Sequence, residues 1–151
     1  MRTTRLLRAA SYRDMAVPLW VARVLVIDDE PIVAETLAIV FKNAGYETRA
    51  VHSAEAAIAV LETEQWVPQF AIVDVHLPGM NGIDLAAMLK AQYPQVRVSL
   101  FSGRAETADL LEVARQQGHS FDVIAKPVHP SVFLAMASSF LGDVGPNPLV
   151  M

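Results

Sequence analysis

The sequence predicts an α/β fold in which a parallel five-stranded sheet is doubly wound by helices on both faces. Two observations carry this. Five short apolar runs rich in Val and Ile alternate with five segments of helical periodicity, and no repeat or low-complexity block interrupts them. The hydrophobic content, 53%, exceeds the usual ~45–50%, as expected of a sheet buried on both sides rather than one. At 151 residues the chain has the size of one domain whose core needs no covalent staples.

The elements follow in order. Arg23-Val24-Leu25-Val26-Ile27 forms a first strand and ends in Asp28-Asp29-Glu30-Pro31. Pro31 suits a first helical position and an acid before it suits the N-cap. Val33, Leu37, Val40, Phe41 and Ala44 then make one apolar stripe, closed by Gly45. Glu47 to Val51 reads as a weaker strand, and Ser53 caps a helix to Leu61 with Ala57, Val60 and Leu61 inward. Phe70-Ala71-Ile72-Val73 is apolar at every position, so it predicts a central strand buried on both faces, and it delivers the carboxylate of Asp74 where it ends. Pro78-Gly79 and Asn81-Gly82 then turn the backbone tightly.

Beyond Gly82, Ile83, Ala86, Leu89 and Lys90 trace a helix that stops before Tyr93-Pro94. Val96 to Phe101 is the fourth strand, ending at Ser102-Gly103. A helix from about Glu106 to Gln117, with Leu110, Leu111 and Val113 inward, stops at Gly118. Phe121 to Ala125 is the fifth strand and gives way to Lys126-Pro127, after which His129-Pro130-Ser131 opens a last helix to about Leu141. No charge falls between Ser131 and Gly142, so the outward face of this helix either serves a homodimer or a docking partner or is simply bland.

The ends are set apart from this pattern. Residues 1–22 hold Arg2, Arg5, Arg8 and Arg13 against the single acid Asp14. They read as a disordered basic leader, as residues upstream of a start at Met15, or as an address or contact for an anionic partner. The domain is expected over 23–141, and 142–151, with Gly145-Pro146-Asn147-Pro148, as a flexible tail. No run approaches the ~18 apolar residues of a membrane span. The absence of cysteine excludes disulfides, thiol catalysis and cysteine-bound zinc, and suits a cytoplasmic setting. A net charge of −4 offers no global footprint for nucleic acid.

In a doubly wound sheet, ligands bind beyond the carboxyl ends of the strands. Strand one ends in Asp28-Asp29, strand three in Asp74, strand four in Ser102 and strand five in Lys126, so five polar groups should gather at one rim. Taken singly, each has a structural explanation as a helix cap, a turn-former or a surface lysine. Their shared address does not. Three carboxylates in one pocket repel unless a cation intervenes, and hard oxygen ligands without cysteine or clustered histidine favour Mg²⁺. Lys126 supplies a point charge suited to phosphate, and the Ser102 hydroxyl can donate to a phosphoryl oxygen. Asp74 would then be an in-line nucleophile forming an aspartyl phosphate.

On Val24-Leu25-Val26-Ile27-Asp28-Asp29-Glu30-Pro31, Ile72-Val73-Asp74-Val75-His76-Leu77-Pro78-Gly79-Met80-Asn81-Gly82, Ser102-Gly103 and Lys126-Pro127, in that order and spacing, the chain closely resembles the receiver domain of two-component response regulators. The resemblance spans about residues 23 to 141. It implies a flavodoxin-like (βα)5 fold with strand order 2-1-3-4-5, and a phosphoacceptor Asp74 charged by a histidine kinase or phosphotransfer protein. It further implies that Asp29 ligates Mg²⁺ directly, Asp28 through water, and that the backbone carbonyl of His76 completes the site. Ser102 would move toward the phosphoryl group, Lys126 would pair with it, and the Lys126-Pro127 bond would be cis. His76 and Arg104, each two positions beyond a site residue, would tune hydrolysis or else be solvated loop side chains.

One position departs from the family pattern. Val123 stands where an aromatic residue is usual, three before the lysine, which predicts a smaller or differently placed conformational change; Phe121 shares its face one pair further off. With no output module after the domain, a stand-alone receiver acting through an unknown output protein is expected, without conventional enzymatic turnover. The rivals are a phosphorylation-independent interaction module and a haloacid-dehalogenase-like phosphatase. The phosphatase pattern wants a second Asp two residues after the nucleophile, where this chain has His76.

Overall fold

Runs of β-branched and aromatic residues pair in parallel here because each is separated from the next by a helix, and a crossover rather than a hairpin must join them. The strands are β1 (Arg23–Ile27), β2 (Glu47–Val51), β3 (Phe70–Asp74), β4 (Arg97–Ser102) and β5 (Val123–Ala125), in the order β2-β1-β3-β4-β5. Every neighbouring pair is parallel. Between and after them lie α1 (Pro31–Asn43), α2 (Ala54–Glu62), α3 (Gly82–Gln92), α4 (Thr107–Gln116) and α5 (Pro130–Leu141). The computed structural model describes residues 21–103 and 107–141. The arginine-bearing leader with Met15, the tail from 142, Arg104 and Glu106 lie outside the described residues.

Alternation along β3 divides the core in two. Phe70 and Ile72, with Val24, Val26 and Phe101, pack on Leu37 and Phe41 of α1 and on Phe133 and Ala137 of α5. Ala71 and Val73, with Leu25, Ile27 and Leu100, pack on Val60 and Leu61 of α2 and on Ile83, Leu85 and Leu89 of α3. All five residues of β3 are buried, as a central strand covered on both faces must be. Val21 and Ala22, expected to close the leader, are buried too, and the Ala22 carbonyl accepts the Glu47 N–H at 3.0 Å. The packed domain therefore reaches back at least to Val21.

Several details depart from the sequence-based expectation. In α4 the inward residue is Ala114, while Val113 is 52% exposed. Ala114 lies three and four positions from Leu111 and Leu110 and shares their face, whereas Val113 is only two from Leu111. Lys90 is exposed in the last turn of α3, where a cation meets the helix's negative end, and Leu85 takes the buried place. The fourth strand begins at Arg97 rather than Val96. The fifth is shorter than its composition suggests: β5 starts at Val123 and pairs only with Leu100–Ser102. Phe121 precedes the strand, stacked against His119 with ring centroids 6.1 Å apart. Ser53 caps α2 as expected, its Oγ accepting the Ala56 N–H at 3.0 Å. Glu30 sits at the N-cap of α1, but its side chain makes no cap hydrogen bond.

The approach of α3 to β3 is the tightest constraint on the site. Asn81 caps α3, its Oδ1 accepting the Asp84 N–H at 2.8 Å, and the Gly82 N–H donates to the Val75 carbonyl at 2.7 Å. A Cβ at position 82 would lie 2.0 Å from the backbone oxygen of Asp74. What glycine supplies here is room: the first turn of the helix rests directly on the end of the strand that presents the acid. Gly82→Ala is therefore expected to destabilise the fold by roughly 1–3 kcal/mol or more, the cost of overpacking against backbone that cannot yield. Urea unfolding monitored by circular dichroism checks this; an unchanged midpoint would contradict it.

Candidate functional site

The carboxyl edge of the sheet gathers the ends of β1, β3, β4 and β5. Asp28 follows β1 and is fully buried, and Asp74 closes β3 with 4% exposure. Asp29, the neighbour of Asp28, is exposed. Even so, one carboxylate oxygen from each of Asp28, Asp29 and Asp74 lies within 4.8 Å of the others. The backbone holds Asp28 firmly: its N–H donates to Val51 at 3.1 Å, and its Oδ1 accepts the Glu30 N–H at 2.9 Å. Its carbonyl faces His52 Nδ1 at 3.1 Å. A carbonyl only accepts, so the ring donates there.

Lys126 comes to this cluster from the far end of the chain. Its backbone N–H donates to the Ser102 carbonyl at 2.9 Å, extending the β4–β5 ladder by one bond, and the Lys126-Pro127 peptide is cis. Its Nζ lies 3.1 Å from Asp28 Oδ2, 3.4 Å from Asp74 Oδ2 and 3.4 Å from Glu30 Oε1. The His76 N–H donates to Asp74 Oδ1 at 3.2 Å. Ser102 is buried on β4, one residue beyond Phe101, the register partner of Asp74. Asp28, Asp29, Asp74 and the Lys126 ammonium thus meet at one corner, with Ser102 at the adjacent strand end.

Electrostatics at the rim are only partly balanced. Burial, followed by the charge of Asp28, pushes the Asp74 carboxyl up to about 6; Lys126 and the His76 N–H pull the other way. For Lys126, burial disfavours the ammonium, but the hydrogen bond to Asp28 and the charges of Asp74 and Asp28 together raise its pKa. One ammonium therefore faces more negative charge than it cancels. The donor set is all hard oxygen, and it fits a hard divalent cation held by Asp28, Asp29 and Asp74.

Residues 24–138 match the model of the response regulator receiver domain. The chain belongs to the response regulator receiver family. Among curated relatives of this receiver, the DNA-binding response regulator MtrA of Mycolicibacterium smegmatis is 31% identical over 113 residues, covering 75% of this chain and 47% of MtrA. Response regulator protein FleR of Pseudomonas aeruginosa is 32% identical over 117 residues, covering 78% of this chain and 24% of FleR. The chain spans about half the length of the mycobacterial relatives it matches. A CheY-like receiver domain protein from Methanospirillum hungatei shares its fold, with a TM-score of 0.70 at 22% identity, covering 82% of this chain and 96% of the other. NtrX from Brucella abortus gives a TM-score of 0.67 at 26% identity, covering 82% of this chain and 28% of NtrX.

Two residues of the receiver's rim escaped the sequence reading. Glu30 holds the N-cap position its place suggests, but its side chain pairs with Lys126 rather than capping. Glu55 of α2 reaches the loop after β3, its Oε2 accepting the Met80 N–H at 3.1 Å; nothing local in the sequence signals a contact 25 positions away. Val123, in place of the usual aromatic, is half-buried and packs in the α2–α3 side of the core. Among the described residues, no helix is long and apolar enough to cross a membrane.

The elevated Asp74 carboxyl makes stability depend on pH. Between its ordinary pKa of 3.8 and about 6, the native state holds a proton that the unfolded state has released, so stability from this group falls as pH rises through that window. Above it, the ionised acid costs the cation-free protein on the order of 2–3 kcal/mol. Asp74→Asn is expected to melt higher than the parent above about pH 7, with the difference vanishing below about pH 4. Calorimetry across pH in chelator checks this, and equal stabilities throughout would contradict it.

Proposed function

We propose that this receiver accepts a phosphoryl group on Asp74 from the phosphohistidine of a histidine kinase or phosphotransfer protein, and that the modified form signals by binding another protein. The single observation that carries this reading is the Lys126 ammonium 3.4 Å from Asp74 Oδ2 inside a three-carboxylate cluster. An oxygen of Asp74 would attack phosphorus in line, while the P–N bond of the donor breaks and its electron pair returns to an imidazole nitrogen, which takes up a proton. Lys126 would follow the transferred group and offset charge on its oxygens. Ser102 would donate to one of those oxygens, and the His76 N–H would keep Asp74 oriented. We assign the cation to Mg²⁺, held by Asp28, Asp29, Asp74 and the carbonyl of His76; when bound it would neutralise charge on the transferred group.

On this reading the chain is a signalling component that takes up and loses one group, not an enzyme of external turnover. Intact mass spectrometry after a small-molecule phosphodonor and Mg²⁺ should show the gain of one phosphoryl group, lost in Asp74→Ala and on chelation. A parent chain that takes up nothing with the cation present would overturn the assignment.

The uncharged outer face of α5, where Val132 and Phe140 are exposed, supports self-association of the receiver. Light scattering should show dimer at high concentration, weakened by Val132→Glu. A monomer at every concentration, with and without a phosphoryl mimic, would contradict this.

A further inference from the structure

We propose that Phe101 is a positioning residue that holds the Lys126 ammonium at the acidic rim, an assignment that rests on Asp74 being the phosphoacceptor. The Lys126 Nζ lies 4.6 Å from the centroid of the Phe101 ring. Phe101 is 1% exposed and sits opposite Asp74 in the β3–β4 register. The ring is itself fixed: Phe133 of α5, fully buried, meets it edge-on at a centroid distance of 5.4 Å and an angle of 81°. Ring, ammonium and acid therefore form one cluster assembled from β4, the end of β5 and β3, with α5 behind it.

The contacts of the ammonium differ in kind. Those to Asp28, Asp74 and Glu30 use its N–H donors and must be redistributed when phosphoryl oxygens arrive on Asp74. The ring contact is an attraction between charge and a π face, and it spends no donor in a fixed direction. It can persist while the donors change partners. Without it, the flexible lysine stem would be drawn by the open acid: the Glu30 side chain is 64% exposed, against 6% for Asp74, and lies at the same 3.4 Å from Nζ. Phe101 biases this competition inward, keeping the charge where the transferred group will be. An aliphatic side chain would fill much of the same space and give no such bias.

Phe101→Leu should slow phosphoryl uptake from a small-molecule donor by about 2- to 30-fold, the rate equivalent of one cation–π contact. In a Lys126→Met background the same substitution should change the rate no further, whereas a merely structural role would slow both backgrounds alike. Equal losses in the two backgrounds, or no loss in the single variant, would overturn the proposal. An NMR measurement on the unmodified parent needs no variant to fold: the ε-methylene protons of Lys126 should be shifted upfield by the ring current, and an unshifted resonance would also overturn it. The NMR shift tests the placement of the amine even if the parent refuses a phosphoryl group, so failure of this proposal is distinguishable from failure of the phosphoacceptor assignment.

Discussion

The compensation of buried negative charge by a single lysine is what the rest of the rim depends on. Asp28 and Asp74 are taken out of water at the ends of adjacent strands, where each ionised acid raises the cost of the other. The Lys126 ammonium touches both, but it arrives from the fifth strand, so the pair is tolerable only once the whole sheet has closed. Local structure alone would leave two desolvated acids side by side. The negative charge that the lysine leaves uncancelled suits this corner to a cation, and it is held there by burial.

Docking of α3 on the end of β3 depends on the bare backbone at Gly82. The helix that follows β3 starts against the carbonyl of Asp74, at a distance that admits no side-chain carbon. This seals the strand end from the loop side, while Asn81 and the Val75 carbonyl fix the first turn. The acid is thereby presented by a rigid strand and a pinned helix rather than by the loop between them. Glu55, reaching from α2 to the Met80 N–H, ties the outer part of that loop to a second helix.

Much of this was legible in the sequence, for a physical reason. Strand runs such as Phe70 to Val73 are apolar at every position, and their spacing around helical stripes allows little but a parallel sheet, so the rim at the carboxyl ends followed from topology. The identity of the rim residues followed as well, since Asp28, Asp74, Ser102 and Lys126 each stand at a strand end. What was hidden depends on angles and on long-range contact. Val113 and Ala114 are adjacent letters, and only the phase of α4 decides which faces inward. Glu30 looked like a cap because the sequence does not show a lysine 96 positions away. Gly82 looked like a turn former, and its real role, leaving room for a neighbouring carbonyl, exists only once α3 is docked. The length of β5 was overestimated from composition because the extent of a strand is set by what pairs with it.

That short strand has a consequence for how copies of this molecule can meet. A sheet ending in three paired residues exposes little continuous backbone at that margin, and Arg97 places a charge at the start of the strand behind it. A second chain has almost nothing there to prolong as a ribbon. At this margin, contact with another chain is left to side chains rather than to backbone pairing.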